Sequence, residues 1–224
     1  MFWQEENDDD TDRFVVPEDV VDIQFSISCK SLPVDHAHGL SRAISEALPW
    51  FEQEPQSGLH LIHVADSGNG WERPEGEGEV LYLSRRTKLT LRVPQHRVED
   101  SKALSGQKLE VEGNKMEVGK SNVRLLATAT TLYARYVAVL DPQQSEDDFL
   151  AGVVDELKQL GVRFKKVLCG KENTFSTPEG PLMTRSLMVA DLSLADAVRL
   201  QETGVGHHRY KKMGCGLFIP HKTV

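Results

Sequence analysis

Three stretches of the sequence carry residues whose types and spacing suit chemistry. The C-terminal one runs Gly204-Val205-Gly206-His207-His208-Arg209-Tyr210-Lys211-Lys212-Met213-Gly214-Cys215-Gly216. Two Gly-x-Gly pairs bracket a seven-residue insert with three cations and two histidines, so bare backbone and positive charge are offered together to an anion such as a phosphodiester. The plain alternative is a glycine-rich turn with solvated charges that joins a helix to a last strand. Nearer the N-terminus, Asp35-His36-Ala37-His38 opens a predicted helix. The positive end of the helix dipole disfavours imidazolium there and keeps a neutral base available, while Asp35 pulls the other way. The third stretch, Ser84-Arg85-Arg86-Thr87-Lys88, is a basic knot between apolar segments, either an exposed turn or a phosphate contact.

Histidines beside phosphate-binding cations suit one reaction in particular. RNA carries its own nucleophile, so its cleavage needs a base for the 2′-hydroxyl proton, an acid for the departing 5′-oxygen and cations for the charged transition state. One histidine contributes about 10²- to 10⁴-fold as an acid or base. Neither metal nor cofactor is required. A His-x-His metal pair at His36 and His38 is the weaker reading, because no carboxylate or thiol at ligand spacing joins it. The sequence also has no Ser-His-Asp arrangement and no nucleotide-binding P-loop.

The elements that must position these residues follow from hydrophobic period. Val21, Ile23, Phe25 and Ile27 alternate as in a half-buried strand that Pro33 closes, and Asp35 is placed to cap a helix with Leu40, Ala43, Ile44, Ala47, Leu48 and Phe51 on one face. His36 falls at the rim of that face, whereas His38 lines up with Ser41, Arg42 and Ser45. Strands are predicted at 59–64, 80–83, 88–93 and around a Gly113-Asn114 turn, with a short helix at 98–104 and a loop at 66–79. The pattern then restarts: a strand at 132–140, a helix behind a Ser145/Asp148 capping box, strands at 162–168 and 182–192 around a loop at 170–181, a helix behind Ser193/Asp196, and a last strand at 217–219. Each half reads strand, helix, strand, strand, helix, strand. The expected class is therefore α+β, with two tandem ferredoxin-like (βαββαβ, RRM-like) domains at 20–130 and 131–224 and the glycine-rich loop near the end.

Charge is unevenly spread. The chain has a formal net charge of −8, yet residues 1–19 hold eight acids against Arg13 alone, while from Leu157 onward eleven Lys and Arg face five acids. Local field steers a polyanion, so the C-terminal third is where a nucleic acid is expected, and residues 1–19 read as a solvated, disordered acidic leader. Three widely spaced cysteines, Cys29, Cys169 and Cys215, give neither a disulfide framework nor a zinc motif. No run approaches the length of a membrane helix and the acidic start is unlike a targeting peptide, so a cytoplasmic location is expected.

Taken in order, Leu32-Pro33-Val34-Asp35-His36, Leu81-Tyr82-Leu83-Ser84-Arg85-Arg86, Leu104-Ser105-Gly106, Leu132-Tyr133-Ala134-Arg135, Arg199-Leu200-Gln201, Gly204-Val205-Gly206 and Met213-Gly214-Cys215-Gly216-Leu217-Phe218-Ile219-Pro220 resemble the CRISPR repeat-processing endoribonucleases. These are the sixth CRISPR-associated protein family, and the resemblance is to its MYXAN-subtype branch. It implies two ferredoxin-like domains and metal-independent cleavage of precursor CRISPR RNA at the repeat stem-loop, leaving 5′-hydroxyl and 2′,3′-cyclic phosphate ends. It also implies retention of the mature guide and, as partners, other subunits of a type I effector complex. His36 matches the family's first-helix acid–base histidine, with His38 left open beside it. The loop from Gly204 to Gly216, with Gly206, His207, His208, Arg209, Lys211, Lys212 and Gly214, matches the RNA-binding loop. Arg85 and Arg86 fall where a strand reaches a hairpin. Seven residues between the Gly-x-Gly pairs exceed the commoner family spacing, and His207 or His208 stays open as a second proton carrier. A non-catalytic RNA-binding subunit of the same architecture is the alternative.

Overall fold

The computed structural model describes residues 14–63 and 78–221. Most of the predicted 66–79 loop, Val64 and the first thirteen residues of the predicted leader lie outside those residues.

Alternation builds the first sheet. In β1 (Val20–Ser28), Val21, Ile23, Phe25 and Ile27 are all buried, as the period of two requires. The chain then makes a short β2 (Ser31–Pro33), helix α1 (Ala37–Ala47), β3 (Gly58–His60), β4 (Val80–Tyr82), β5 (Lys88–Pro94), α2 (Val98–Ser101), β6 (Lys108–Val111) and β7 (Asn114–Arg124). The main sheet has the order β3-β5-β1-β7-β6 with every pairing antiparallel. Without the added edge strand β6, this is the arrangement of one βαββαβ unit, and α1 covers it with Leu40, Ala43 and Ile44.

Four expectations change in this half. The strand predicted from residue 59 is in the ladder only through His60. The strands predicted at 80–83 and 88–93, a long strand or hairpin in sequence, part company, because Ser84–Thr87 makes a tight turn, β4 pairs with β2 in a separate ribbon and β5 joins the main sheet. The predicted 98–104 helix is a four-residue α-turn flanked by 3₁₀ turns at Gln95–Arg97 and Lys102–Leu104, where the Ser101 hydroxyl donates back to the Arg97 carbonyl at 2.7 Å. Asp35 does not cap α1: His36 holds the N-cap position without a side-chain bond, and Asp35 Oδ2 instead accepts from the Ser176 amide at 2.8 Å.

The second sheet is plainer. β8 (Thr131–Ala138), α3 (Glu146–Gln159), β9 (Lys166–Thr177), β10 (Gly180–Ala190), α4 (Leu194–Thr203) and β11 (Phe218–Pro220) give the order β11-β8-β10-β9, again antiparallel. Both predicted caps form, with Ser145 and Ser193 accepting from the amides of Asp148 and Asp196 at 3.1 Å. The predicted loop at 170–181 is mostly strand: β9 runs to Thr177 and turns tightly into β10. As an edge strand it is exposed at most positions and keeps the polar composition of a loop, and Phe175 alone is buried. This long hairpin reaches the turn before α1 of the first half through the Asp35–Ser176 bond. A cluster of Ala37, Leu61, Tyr136, Phe175 and Cys215 fills the space beneath that contact. No helix among the described residues is long and apolar enough to cross a membrane.

Candidate active site

A cleft of about 570 Å³ opens where three elements meet: the exposed side of α1, the β9–β10 turn and α5 (His208–Lys211), a helical turn inside the glycine-rich stretch. His38, Ser41 and Arg42 line it from α1, Glu179 from the hairpin, and Arg209 and Tyr210 from α5. Helical spacing explains the first set, since residues three and four positions after His38 stand on its face. Arg42 is half-exposed and lies 3.7 Å from Glu46 one turn on. Across the cleft, the Arg209 guanidinium lies 4.5 Å from the centroid of the Tyr210 ring, donates to the Tyr210 hydroxyl and comes within 4.0 Å of Glu179.

The two α1 histidines are separated by burial. His36 is 1% exposed, so the expected rim position is corrected to the interior. Its Nδ1 faces the carbonyls of Pro33 at 2.9 Å and Val34 at 3.0 Å and must carry the proton; its Nε2 accepts from the Ile62 amide at 3.2 Å. The ring therefore fastens the turn before α1 to the chain after β3, and it does not line the cleft. His38, two residues on, is only partly buried and does line it.

The glycine-rich stretch also divides. All four of its paired glycines have positive φ, and three are needed for close approach. A Cβ on Gly216 would lie 1.9 Å from the Val205 carbonyl oxygen, one on Gly204 2.4 Å from that of Gly216, and one on Gly214 2.6 Å from Leu61. These glycines close the neck of the loop, where the Val205 amide donates to Gly216 at 3.1 Å. The bare-backbone expectation is corrected as well, because the loop amides have protein acceptors: Gly204 donates to Leu200, Gly206 to Glu156 at 2.7 Å, Gly214 to Lys211 and Gly216 to Tyr136.

The two lysines point inward. Lys212 is 4% exposed; its Nζ donates to the carbonyls of Glu54 at 2.5 Å and Ser57 at 2.7 Å and to the Ser57 hydroxyl, and lies 4.8 Å from the centroid of the Phe51 ring. Burial pulls its ionisation down to about 7, against the opposing pull of Glu54. Lys211 donates to the Thr203 carbonyl, and burial lowers its ionisation too. Of the predicted phosphate-contacting cations in the loop, Arg209 alone is exposed. His207 is exposed and caps α5, its Nδ1 accepting from the Arg209 amide at 3.3 Å, and His208 packs beside it with ring centroids 4.2 Å apart. Partial burial, then His207, Lys212 and Lys211, hold His208 below the ordinary imidazole range. Neither histidine lines the cleft, and nor do Arg85 and Arg86, which are exposed on the Ser84–Thr87 turn. Ser41, Arg42, Glu179 and Tyr210 were not singled out from the sequence. The spacing of Arg42 to His38 was the available signal for one of them; Tyr210 and Glu179 needed the fold.

The cleft walls hold the His38 imidazole, the Arg42 and Arg209 guanidiniums, the hydroxyls of Ser41, Thr177 and Tyr210, Lys212, and the carboxylates of Glu52 and Glu179, a set that includes groups able to move a proton and to hold a phosphate. Comparison with known proteins identifies the family. A family model described as Cas6 Crispr matches residues 21–223. The CRISPR-associated endonuclease Cas6 of Myxococcus xanthus (strain DK1622) is 28% identical over 200 residues, covering 89% of this chain and 81% of that protein. A solved structure described as CRISPR associated protein Cas6 superposes with a TM-score of 0.61 at 14% identity, covering 91% of this chain and 100% of the other. A second, a Cas6-related protein from Pyrococcus furiosus, superposes at 0.57 and 10% identity, covering 89% and 97%. These two carry the fold, tandem ferredoxin-like domains. With nearly its whole described length matched by one family model, the chain belongs to the Cas6 family.

Proposed function

We propose that this chain is a CRISPR-RNA endoribonuclease of the cytoplasm that cuts precursor transcripts within their repeats. In this reading His38 is the proton carrier, and Arg42 and Arg209 grip the scissile phosphate from opposite walls. The 2′-oxygen attacks phosphorus as His38 takes its proton, the bond to the 5′-oxygen breaks, and that oxygen leaves with a proton taken from water. The products are a 2′,3′-cyclic phosphate and a 5′-hydroxyl, and the reaction proceeds without a metal or cofactor. The observation that carries the reading is the meeting of His38, Arg42 and Arg209 in one cleft. The repeat stem-loop, the mature guide RNA and other type I effector subunits are the partners it implies.

One observation favours a second reading. The histidine that matches the family's catalytic position, His36, has both ring nitrogens engaged by backbone. On the second reading no side chain acts on the phosphate, and the chain is a non-catalytic RNA-binding subunit. Incubating the purified protein with repeat RNA in excess EDTA decides between them. The first reading expects cleavage that persists in EDTA and stops when the nucleotide before the cut is 2′-deoxy. Loss of cleavage in EDTA overturns the metal-free step, cleavage of the 2′-deoxy RNA overturns the nucleophile, and binding without product selects the second reading.

A further inference from the structure

A buried arginine outside the cleft ties both ends of the loop to the first sheet. Arg92 lies in β5 and is 1% exposed. Its Nε and Nη2 donate to the two carboxylate oxygens of Asp22 at 2.9 and 3.0 Å, a bidentate pair with the residue directly opposite it in β1. Its remaining nitrogen, Nη1, leaves the sheet and donates to two carbonyls of the second half, Gln201 at 3.0 Å and Phe218 at 2.9 Å.

Those two carbonyls are where the chain enters and leaves the loop. Gln201 lies in the last turn of α4, three residues before Gly204, and its carbonyl is one of the helix-end acceptors that intrahelical bonding leaves open. The amide four residues on, Val205, is directed to Gly216 instead. Phe218 opens β11, two residues after Gly216, on a strand that among the described residues is an edge paired with β8 alone. One guanidinium thus caps a helix end and a sheet edge that the fold leaves unsatisfied, while Lys212 pegs the middle of the loop to Glu54 and Ser57. Only a planar fork serves four acceptors in these directions; an ammonium is a point charge with three donors. Burial alone would raise the Asp22 carboxyl, but Arg92 and His60, whose Nε2 lies 3.5 Å away, hold it well below the usual range and so keep the ion pair charged.

We propose that Arg92 is a positioning residue for the cleft: by holding Gln201 and Phe218 it fixes the loop's neck, and with it the stance of Arg209 and Tyr210 opposite His38. The inference rests on the reading of the cleft as an RNA site, and two readouts keep the two claims apart. In Arg92→Lys, which preserves charge but not the fork, amide hydrogen exchange across 205–216 is expected to accelerate at least tenfold relative to β8 and β10. The dissociation constant for a 2′-deoxy, uncleavable repeat RNA is expected to rise at least tenfold, while the single-turnover rate at saturating cleavable RNA falls less than threefold. If Arg92→Lys does not fold, the double variant Asp22→Leu/Arg92→Met, which removes the buried pair together, is expected to fold and to show the same loosening. A folded variant whose loop exchange and RNA affinity stay within twofold of wild type overturns the proposal, whatever its melting temperature. Wild-type protein that binds no repeat RNA overturns the functional reading alone, and loop exchange still reports on Arg92.

Discussion

On the inner side of the stretch from Gly204 to Gly216, three glycines and two lysines are turned into the protein; on its outer side Gly206, His207 and Arg209 stand in solvent. The inner glycines let backbone meet backbone, and the inner ammonium groups satisfy carbonyls of Thr203, Glu54 and Ser57. The outer residues have weaker ties, and among the described residues Arg209 faces Tyr210 and a distant Glu179. A count of cations in the loop therefore overstates the charge available to a polyanion. What an RNA meets is set by the carbonyls the fold leaves unpaired, because those claim the lysines first.

The largest effect expected from this division is on stability. Gly216→Ala forces a Cβ to within 1.9 Å of the Val205 oxygen at a φ of 71° and is expected to cost on the order of 3 kcal/mol or more. Gly206→Ala, with φ 76° but nothing within 4 Å, is expected to cost about 1 kcal/mol from backbone conformation alone. Urea unfolding midpoints compare the two; equal costs would mean that the neck is not closed as described.

A smaller effect separates Lys212 from Arg209. Because burial lowers Lys212 to about 7, the unfolded chain binds more protons than the native one between pH 7 and the ordinary lysine range. This group's contribution to stability must then increase as pH rises from 7 towards 9, and it opposes folding most below 7. Lys212→Met is expected to remove that slope, read as the difference between the two proteins' unfolding free energies at pH 6.5 and 9; an unchanged slope would mean the amine is not buried in the native state. Arg209→Ala is expected to leave the pH slope alone and to lower the log-log salt dependence of RNA binding by about 0.7 to 0.9, one phosphate contact. A salt slope unchanged in Arg209→Ala but reduced in Lys212→Met would reverse the assignment of inner and outer faces.

The sequence made local structure readable where one rule decides it. Alternation in β1 needs only one buried face, and Ser145 with Asp148 or Ser193 with Asp196 needs only three residues' separation. It misled at β9, whose partner β10 follows directly across a tight turn, because an edge strand keeps polar residues on its exposed side and so reads as a loop. It also misled where the deciding partner is remote. His36 and His38 look alike in sequence. The carbonyls of Pro33 and Val34 and the Ile62 amide, 26 residues on, fix the first inside the protein. Lys212 is claimed by groups more than 150 residues away in the chain, Glu54 and Ser57. Of the two first-helix histidines left open by the sequence, His36 lies in the interior and His38 lines the cleft.

The central claim is that His38, at the cleft, moves the proton, and that His36, in the interior, holds the scaffold. Single-turnover cleavage of repeat RNA by His38→Ala and His36→Ala, each measured well below its melting temperature and scaled to folded protein, tests it directly. The account predicts a loss of about 10²- to 10⁴-fold for His38→Ala with RNA still bound. For His36→Ala it predicts a destabilisation of about 1 to 3 kcal/mol from the unpaired backbone groups, with a rate per folded molecule close to wild type. A folded His38→Ala that cleaves at the wild-type rate, or a folded His36→Ala that loses the same factor, would contradict it.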